Sequence, residues 1–373
     1  MKWLPLLALG LGAAHLAGQA VPATTEEGFA VPQPGHSFDF PRDHGSHPDF
    51  KIEWWYLTGH LRADDTWRFG YQATFFRFAG PREQGHTGDP LFGQDHLFLA
   101  HFALSDLETE TFYQDSRLDR EGWNAGASIE QLDVRQGPWR LWWPADDAAF
   151  HLLTTAQPDV QLQLALTPQK PLVVFGEDGT SRKGADPTAR SYYLTFTRLA
   201  TEGTVTLEGQ QLDVTGQSWM DHEIASRQLG AELQGWDWTA IQLDDGREIK
   251  AYILRQGDGR KSPFSALMWI DPSGGVTYLD ADDFTWQRTR WWQSERTGNR
   301  YPVEVEIGAP TPDGKTTTLH LRPAMDAQEI VDERGDNVYW EGACEVLDAR
   351  GETIGRAYLE LVGYGDSTAE RLQ

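Results

Sequence analysis

Along most of this chain, apolar positions recur with a period of two or gather in short unbroken runs. Residues 161–167 (Gln-Leu-Gln-Leu-Ala-Leu-Thr) and 303–307 (Val-Glu-Val-Glu-Ile) alternate strictly. Successive side chains of an extended backbone point to opposite faces, so this pattern predicts strands with one wet face and one buried face. Residues 53–59 (Glu-Trp-Trp-Tyr-Leu-Thr-Gly) set bulky side chains next to one another instead, which fits a strand covered on both faces. Turn-forming sequence separates these segments, as at Asp64-Asp65, at 105–108, in the polar stretches 79–95 and 177–190, and at Asp271-Pro272-Ser273-Gly274-Gly275.

On this basis strands are predicted over 51–62, 68–78, 96–104, 109–114, 128–134, 139–143, 150–156, 161–167 and 172–175. Residues 192–198 and 204–207 read as a hairpin turning at Glu202-Gly203. Later strands are predicted over 283–289, 300–307, 317–321, 338–346 and 355–363. Helical periodicity is nearly absent: it is weak over 223–233, and a short helical piece is expected near 326–333. Many short strands at regular spacing imply an all-β protein of barrels or sandwiches with few short helices. Trp55, Leu61, Asp64-Asp65, Tyr71 and Arg77 come in the same order as Trp238, Leu243, Asp244-Asp245, Tyr252 and Arg255. Two similar β units in tandem are the simplest account. The expected units are 51–203 and 204–366, after an irregular lead-in over 21–50.

A chain of 373 residues is long enough for two domains. Aromatic residues make up 12%, enough for pockets or broad sheet faces as well as a core. The net charge of −24 repels phosphate, which argues against nucleic acid and against an anionic membrane surface as partners. The N-terminus has the order of a secretory signal: Lys2, an apolar run over 4–16, then Ala17-Gly18-Gln19-Ala20. The run is shorter than the roughly 20 residues that span a bilayer. Segment 1–20 is therefore expected to be removed after Ala20, leaving an exported chain, periplasmic or secreted. Cys344 is the only cysteine, so no intrachain disulfide can form. Its apolar setting points to a buried structural thiol.

The densest candidate chemistry is Gly216-Gln217-Ser218-Trp219-Met220-Asp221-His222-Glu223. On a strand, Trp219, Asp221 and Glu223 share one face, while Met220 and His222 share the other. Two carboxylates beside an indole can do acid–base work, because a neighbouring negative charge and an apolar wall both raise a carboxyl pKa. An aromatic face can also shelter a cation. The plainer alternative is an exposed acidic turn, or an ion pair with Arg190 or Arg227. In Gly235-Trp236-Asp237-Trp238, two indoles share a face and Asp237 opposes them, an arrangement more common in cores than in pockets. In Glu53-Trp54-Trp55-Tyr56, a buried carboxylate among aromatics would have to be paired or functional. Asp43-His44-Gly45-Ser46-His47 could supply metal ligands, but no third or fourth ligand is identifiable nearby. A hydrogen-bonded loop is the favoured reading there, and neither metal nor cofactor is expected. G-x-S-x-G, H-E-x-x-H, P-loop and Rossmann glycine motifs are all missing from the sequence.

These motifs, together with Tyr339-Trp340-Glu341-Gly342-Ala343, resemble in order those of the AttH/CrtC-type lipocalin-like family. That family includes predicted secreted hydrolases and carotenoid 1,2-hydratases. The resemblance covers nearly the whole chain after residue 20. It implies two lipocalin-like β-barrels side by side, with a ligand pocket at or between them. It also implies a hydratase or hydrolase acting on an apolar small molecule (a lipid, ester or isoprenoid) without metal. Asp221 would then be the proton donor, Glu223 would tune or relay, and His222 would orient or act as base. Glu53, Trp54, Trp55, Trp219, Trp236, Asp237, Trp238 and Tyr252 would line the pocket. The alternative function is a non-catalytic carrier of a hydrophobic ligand that hands its cargo to a membrane transporter.

Overall fold

The computed structural model describes residues 20–365 apart from 81–95, 157–158, 177, 228, 231 and 333–336. The expected signal segment, except Ala20, lies outside these residues, as does most of the 79–95 loop. The strands Ile52–Ala63, Thr66–Ala79, His96–Asp106 and Thr111–Arg120 form an antiparallel meander. The strand Gln210–Ala225 pairs with the free side of Ile52–Ala63, and Arg190–Leu207 follows it. The sheet then runs back through Val160–Pro168, Phe150–Ala156, Trp139–Trp142, Asp133–Gln136 and Ala125–Ala127. It curls almost into a barrel: the Gln136 side chain donates to the Phe98 carbonyl (3.1 Å) and to Asp119 Oδ2 (3.0 Å), joining the late strands to the meander. Inward-facing Trp55, Leu57, Phe69, Trp139, Phe150 and Leu164 fill the interior.

The second sheet repeats this order. Leu233–Leu243, Glu248–Gln256, Ala266–Ile270 and Val276–Asp280 form the meander. Thr353–Val362 then pairs with its first strand, and Val338–Leu347, Thr316–Pro323, Arg300–Pro310 and Thr285–Gln293 follow. Ile241, Ile249, Tyr301, Val305 and Leu359 lie in its core. The tandem repetition expected from residue order is thus present as repeated topology. The protein is all-β, and its helical elements among the described residues are two three-residue 3-10 turns, Arg42–His44 and Ala281–Asp283.

Several expectations are corrected. Residues 192–207 do not turn at Glu202-Gly203. Glu202 sits between Ala165 and Thr215, bonded into ladders on both sides, within the single strand Arg190–Leu207. The turn comes later, at Glu208-Gly209, where both residues take positive φ (50° and 78°). The weak helical period over 223–233 loses to pairing, since Ala225 is still opposite Ile52 and Ser191. Near 326–333, Glu329–Val331 is a strand against Val338–Leu347. The chain passes from the first sheet to the second between Ala225 and Leu233, later than the 203/204 division drawn from the sequence.

The two sheets pack on each other through a third apolar cluster, to which Tyr56, Tyr193 and Trp219 contribute from the first and Trp238, Tyr252, Leu254 and Met268 from the second. Buried polar ties cross the same junction. Arg198 Nε donates to Glu248 Oε1 at 2.5 Å, and Gln242 Nε2 donates to the Thr197 and Ser218 carbonyls at 2.8 and 2.9 Å. Cys344 is buried, and burial pushes its thiol pKa up.

Candidate acid–base site between the two sheets

The strand Gln210–Ala225 runs between two hydrogen-bonded neighbours, and its alternation is as the sequence implies. Met220 faces the first barrel's core, whereas Trp219 faces the sheet junction. Asp221 shares the Trp219 face and is 1% exposed. Its Oδ2 accepts from Tyr193 Oη (2.7 Å), and its Oδ1 accepts from Thr195 Oγ1 (2.5 Å) and Trp219 Nε1 (2.9 Å). Thr195 lies directly opposite Asp221 across the ladder, and Tyr193 lies opposite Glu223. Burial raises the Asp221 pKa. The Lys250 charge and the three hydrogen bonds pull it back without cancelling the rise.

Lys250 comes from the second sheet. Its Nζ stands 2.8 Å above the centre of the Tyr193 ring and 4.1 Å from that of Phe175. It is fully buried, with no hydrogen-bond partner among the described residues. Burial holds the amine well below its ordinary pKa, and the Asp221 charge only partly offsets this. Glu223 is held by Lys183 at 3.2 Å, and that ammonium also lies over the Tyr193 and Tyr252 rings. Burial lowers the Lys183 pKa, but Glu223, Tyr252 and Asp221 together outweigh it and the net shift is upward.

A second acid group faces the junction from the other sheet. Glu360 pairs directly with Trp238 on one side and Glu341 on the other. Tyr56 Oη, opposite Asp221 in its own sheet, donates to Glu341 Oε1 across the junction. Burial pushes Glu360 up to about 7, with Asp221 and Glu223 adding to the rise and a 2.9 Å hydrogen bond from Trp236 Nε1 opposing it. Burial and then Glu360 hold Glu341 well above the usual carboxyl range. Glu341 Oε2, Trp238 Nε1 and Tyr358 Oη are buried without partners among the described residues. Unsatisfied buried polar atoms are rare in native interiors and call for an explanation such as water or a ligand. Trp54, Trp236, Phe264 and Tyr278 rim this cluster and are partly exposed.

Of the residues singled out from the sequence, Asp221, Glu223, Trp54, Trp219, Trp236, Trp238 and Tyr252 come together here. Glu53, Trp55 and His222 do not; they face the first barrel's interior. His222 Nε2 is 2.9 Å from Glu53 Oε1, and its ring stacks on Trp55 at 4.8 Å. His222 therefore cannot act directly as base or orienter for Asp221, because the strand's own alternation separates them. Asp237 faces away from the junction, into an ion-pair cluster with Arg288 (2.7 Å), Arg255 (3.1 Å) and Tyr364 (2.8 Å). Tyr193, Thr195, Lys183, Lys250, Tyr56, Glu341 and Glu360 were not assigned roles from the sequence. The available signal was a lone charge in an apolar strand, as in Ile249-Lys250-Ala251-Tyr252 and Trp340-Glu341-Gly342-Ala343.

A family model described as AttH-like matches residues 31–364. No curated protein sequence matches the chain. A crystal structure of an AttH candidate from Nitrosomonas europaea is 34% identical, covers 90% of this chain and all of its own, and superposes with a TM-score of 0.79. Kievitone hydratase from Nectria haematococca is 16% identical, with coverage of 94% of this chain and 97% of its own and a TM-score of 0.64, a likeness of fold.

Proposed function

The chain belongs to the AttH-like family, and from that premise we propose that it is an acid–base enzyme, a hydratase or hydrolase, acting on an apolar small molecule held between its two sheets. The observation that carries this reading is the buried carboxyl of Asp221, hydrogen-bonded by Tyr193, Thr195 and Trp219, with buried Lys250 of the other sheet over the Tyr193 ring. Burial raises the carboxyl pKa and lowers that of the amine. In a hydration, the Asp221 carboxyl gives its proton to one alkene carbon, and the double-bond electrons form the new C–H bond. The cation left on the other carbon is sheltered by the π faces of Trp219 and Trp238. Water adds to it and returns a proton to the Asp221 carboxylate. Tyr193, Thr195 and Trp219 steady that carboxylate by their hydrogen bonds between the two steps, and Lys183 keeps Glu223 paired beside it.

The test is turnover of a panel of isoprenoid alkenes, enones and lipid esters by wild type and by Asp221→Asn. The expected result is a loss on the order of 10²-fold or more with an unchanged melting temperature. Equal turnover by the variant would remove Asp221 from the chemistry, whereas no turnover by either, with a lipid retained in native mass spectrometry, would replace the enzyme by a carrier that passes a hydrophobic ligand to a membrane transporter. Export after cleavage at Ala20 is part of the same proposal. It is supported by the signal-like order of residues 1–20 and tested by the intact mass of secreted material, which should begin at Val21.

A further inference from the structure

Asp43-His44-Gly45-Ser46-His47 offers two imidazoles near an acid but, within its own segment, no further ligand. The fold brings further donors from two distant positions. His47 Nδ1 lies 2.8 Å from Glu53 Oε1, and His222 Nε2 lies 2.9 Å from the same oxygen. The three donor atoms all fall within 4.8 Å of one another, and all three residues are buried. We propose that His47, Glu53 and His222 form a binding site for a divalent transition metal, with zinc as the natural probe. Two imidazole nitrogens and one carboxylate oxygen are a donor set suited to zinc, with a fourth position left for water.

The surroundings hold these donors in place. Glu53 Oε2 accepts from Ser46 Oγ (2.9 Å), the His47 backbone N–H (2.9 Å) and Arg77 Nε (3.1 Å), so Oε1 alone is presented to the imidazoles. His47 Nε2 lies 3.1 Å from Asp43 Oδ1, the outer carboxylate that commonly orients a metal-bound histidine. The His222 ring is fixed by stacking on Trp55. Its Nδ1 is buried and has no partner among the described residues. Arg77 pairs with Glu53 through Oε2 rather than through the donor Oε1, and Arg42 is taken up by Asp43 at 2.7 Å. Tetrahedral ligands about 2.0–2.1 Å from zinc stand a little over 3 Å apart. Loading therefore requires each imidazole nitrogen to move about half an ångström away from Glu53 Oε1, and the two nitrogens, at most 4.8 Å apart, to settle at that same separation.

This site lies on the opposite face of the strand Gln210–Ala225 from Asp221 and does not depend on the proposed reaction. A metal there would clamp the lead-in segment to the two central strands of the first barrel. The untagged full chain would be stripped with a chelator, reloaded with zinc, and followed by metal analysis, calorimetry and X-ray absorption at the zinc edge. The expected result is one zinc per chain with an imidazole signature, and a higher melting temperature when loaded. His47→Gln and His222→Gln should each weaken binding by about 100-fold or more, Asp43→Asn by about 10-fold, and Asp221→Asn not at all. No stoichiometric zinc, zinc bound equally by the histidine variants, or an absorption spectrum without imidazole would each overturn the proposal. Should the histidine variants fail to fold, the wild-type spectrum and Asp43→Asn decide it.

Discussion

Gly70 and Ala343 touch across the junction of the two sheets: a Cβ on Gly70 would lie 2.5 Å from the Ala343 Cβ. The glycine is needed there for closeness of approach rather than for an unusual backbone angle. Gly70→Ala should destabilise the protein by about 1–3 kcal/mol through overpacking. Adding Ala343→Gly should recover much of that loss, because the two substitutions share one contact. Denaturant melts of the two single variants and the double variant check this. Additive effects would mean that the sheets do not meet at this point.

Lys250 lowers the Asp221 pKa by its charge, against the larger rise due to burial. Lys250→Met removes that counterweight, so Asp221 should hold its proton to higher pH. Activity that needs the protonated carboxyl would then survive further up the alkaline limb of the pH–rate profile. Carboxyl-carbon NMR of labelled Asp221 reads the same change without a substrate. A limb and a titration that stay where they are in wild type would remove Lys250 from the site's electrostatics.

Glu360 should make stability fall as pH rises. Its pKa is about 7 in the folded chain against an ordinary 4.5, chiefly because of burial. The native state therefore binds more protons than the unfolded state between those two values, and stability is lost progressively through that window. The gap corresponds to about 3 kcal/mol, reduced by partial exposure to about 2. Glu360→Gln should melt above wild type at pH 8 and close to it at pH 5. A difference that does not vary with pH would contradict the assignment.

Glu53 takes hydrogen bonds from Ser46, His47, Arg77 and His222. Burial alone would raise its pKa, but hydrogen bonds from His222 and His47 outweigh burial and hold it well below the usual range. Glu53→Gln leaves the buried Arg77 without its counter-charge. The expected loss is about 3–5 kcal/mol, the range found when one partner of a buried ion pair is removed. A melting temperature within a degree or two of wild type would show that the lead-in loop bears little of the barrel's stability.

Local pattern carried most of the strands and their facing, though the strand predicted over 128–134 is instead a bend between Ala125–Ala127 and Asp133–Gln136. The alternation over Trp219–Glu223 assigns each side chain to the side of the sheet on which it lies, because period two is a property of the backbone itself. Asp64-Asp65 marks a hairpin turn for a similarly local reason, since short polar side chains tolerate positive φ, 48° and 64° here. The partners of Asp221 are a different matter. Lys250 acts on it by charge from the other sheet, and Glu341 meets Tyr56 across 285 positions of sequence; no periodicity encodes such a meeting. Glu202-Gly203 misled for the converse reason. It has turn-like composition, yet two flanking strands satisfy its backbone and keep it extended.

The strand Gln210–Ala225 carries an imidazole cluster on one side and a carboxylate cluster on the other, one residue out of phase. Insertion or deletion of a single amino acid between Gly216 and Asp221, with the start of the strand held in register, would exchange the two sets, burying acids in the barrel and placing His222 at the junction. Length variation among relatives should therefore be excluded from this segment and collect at the Glu208-Gly209 tip, where an added residue shifts nothing downstream.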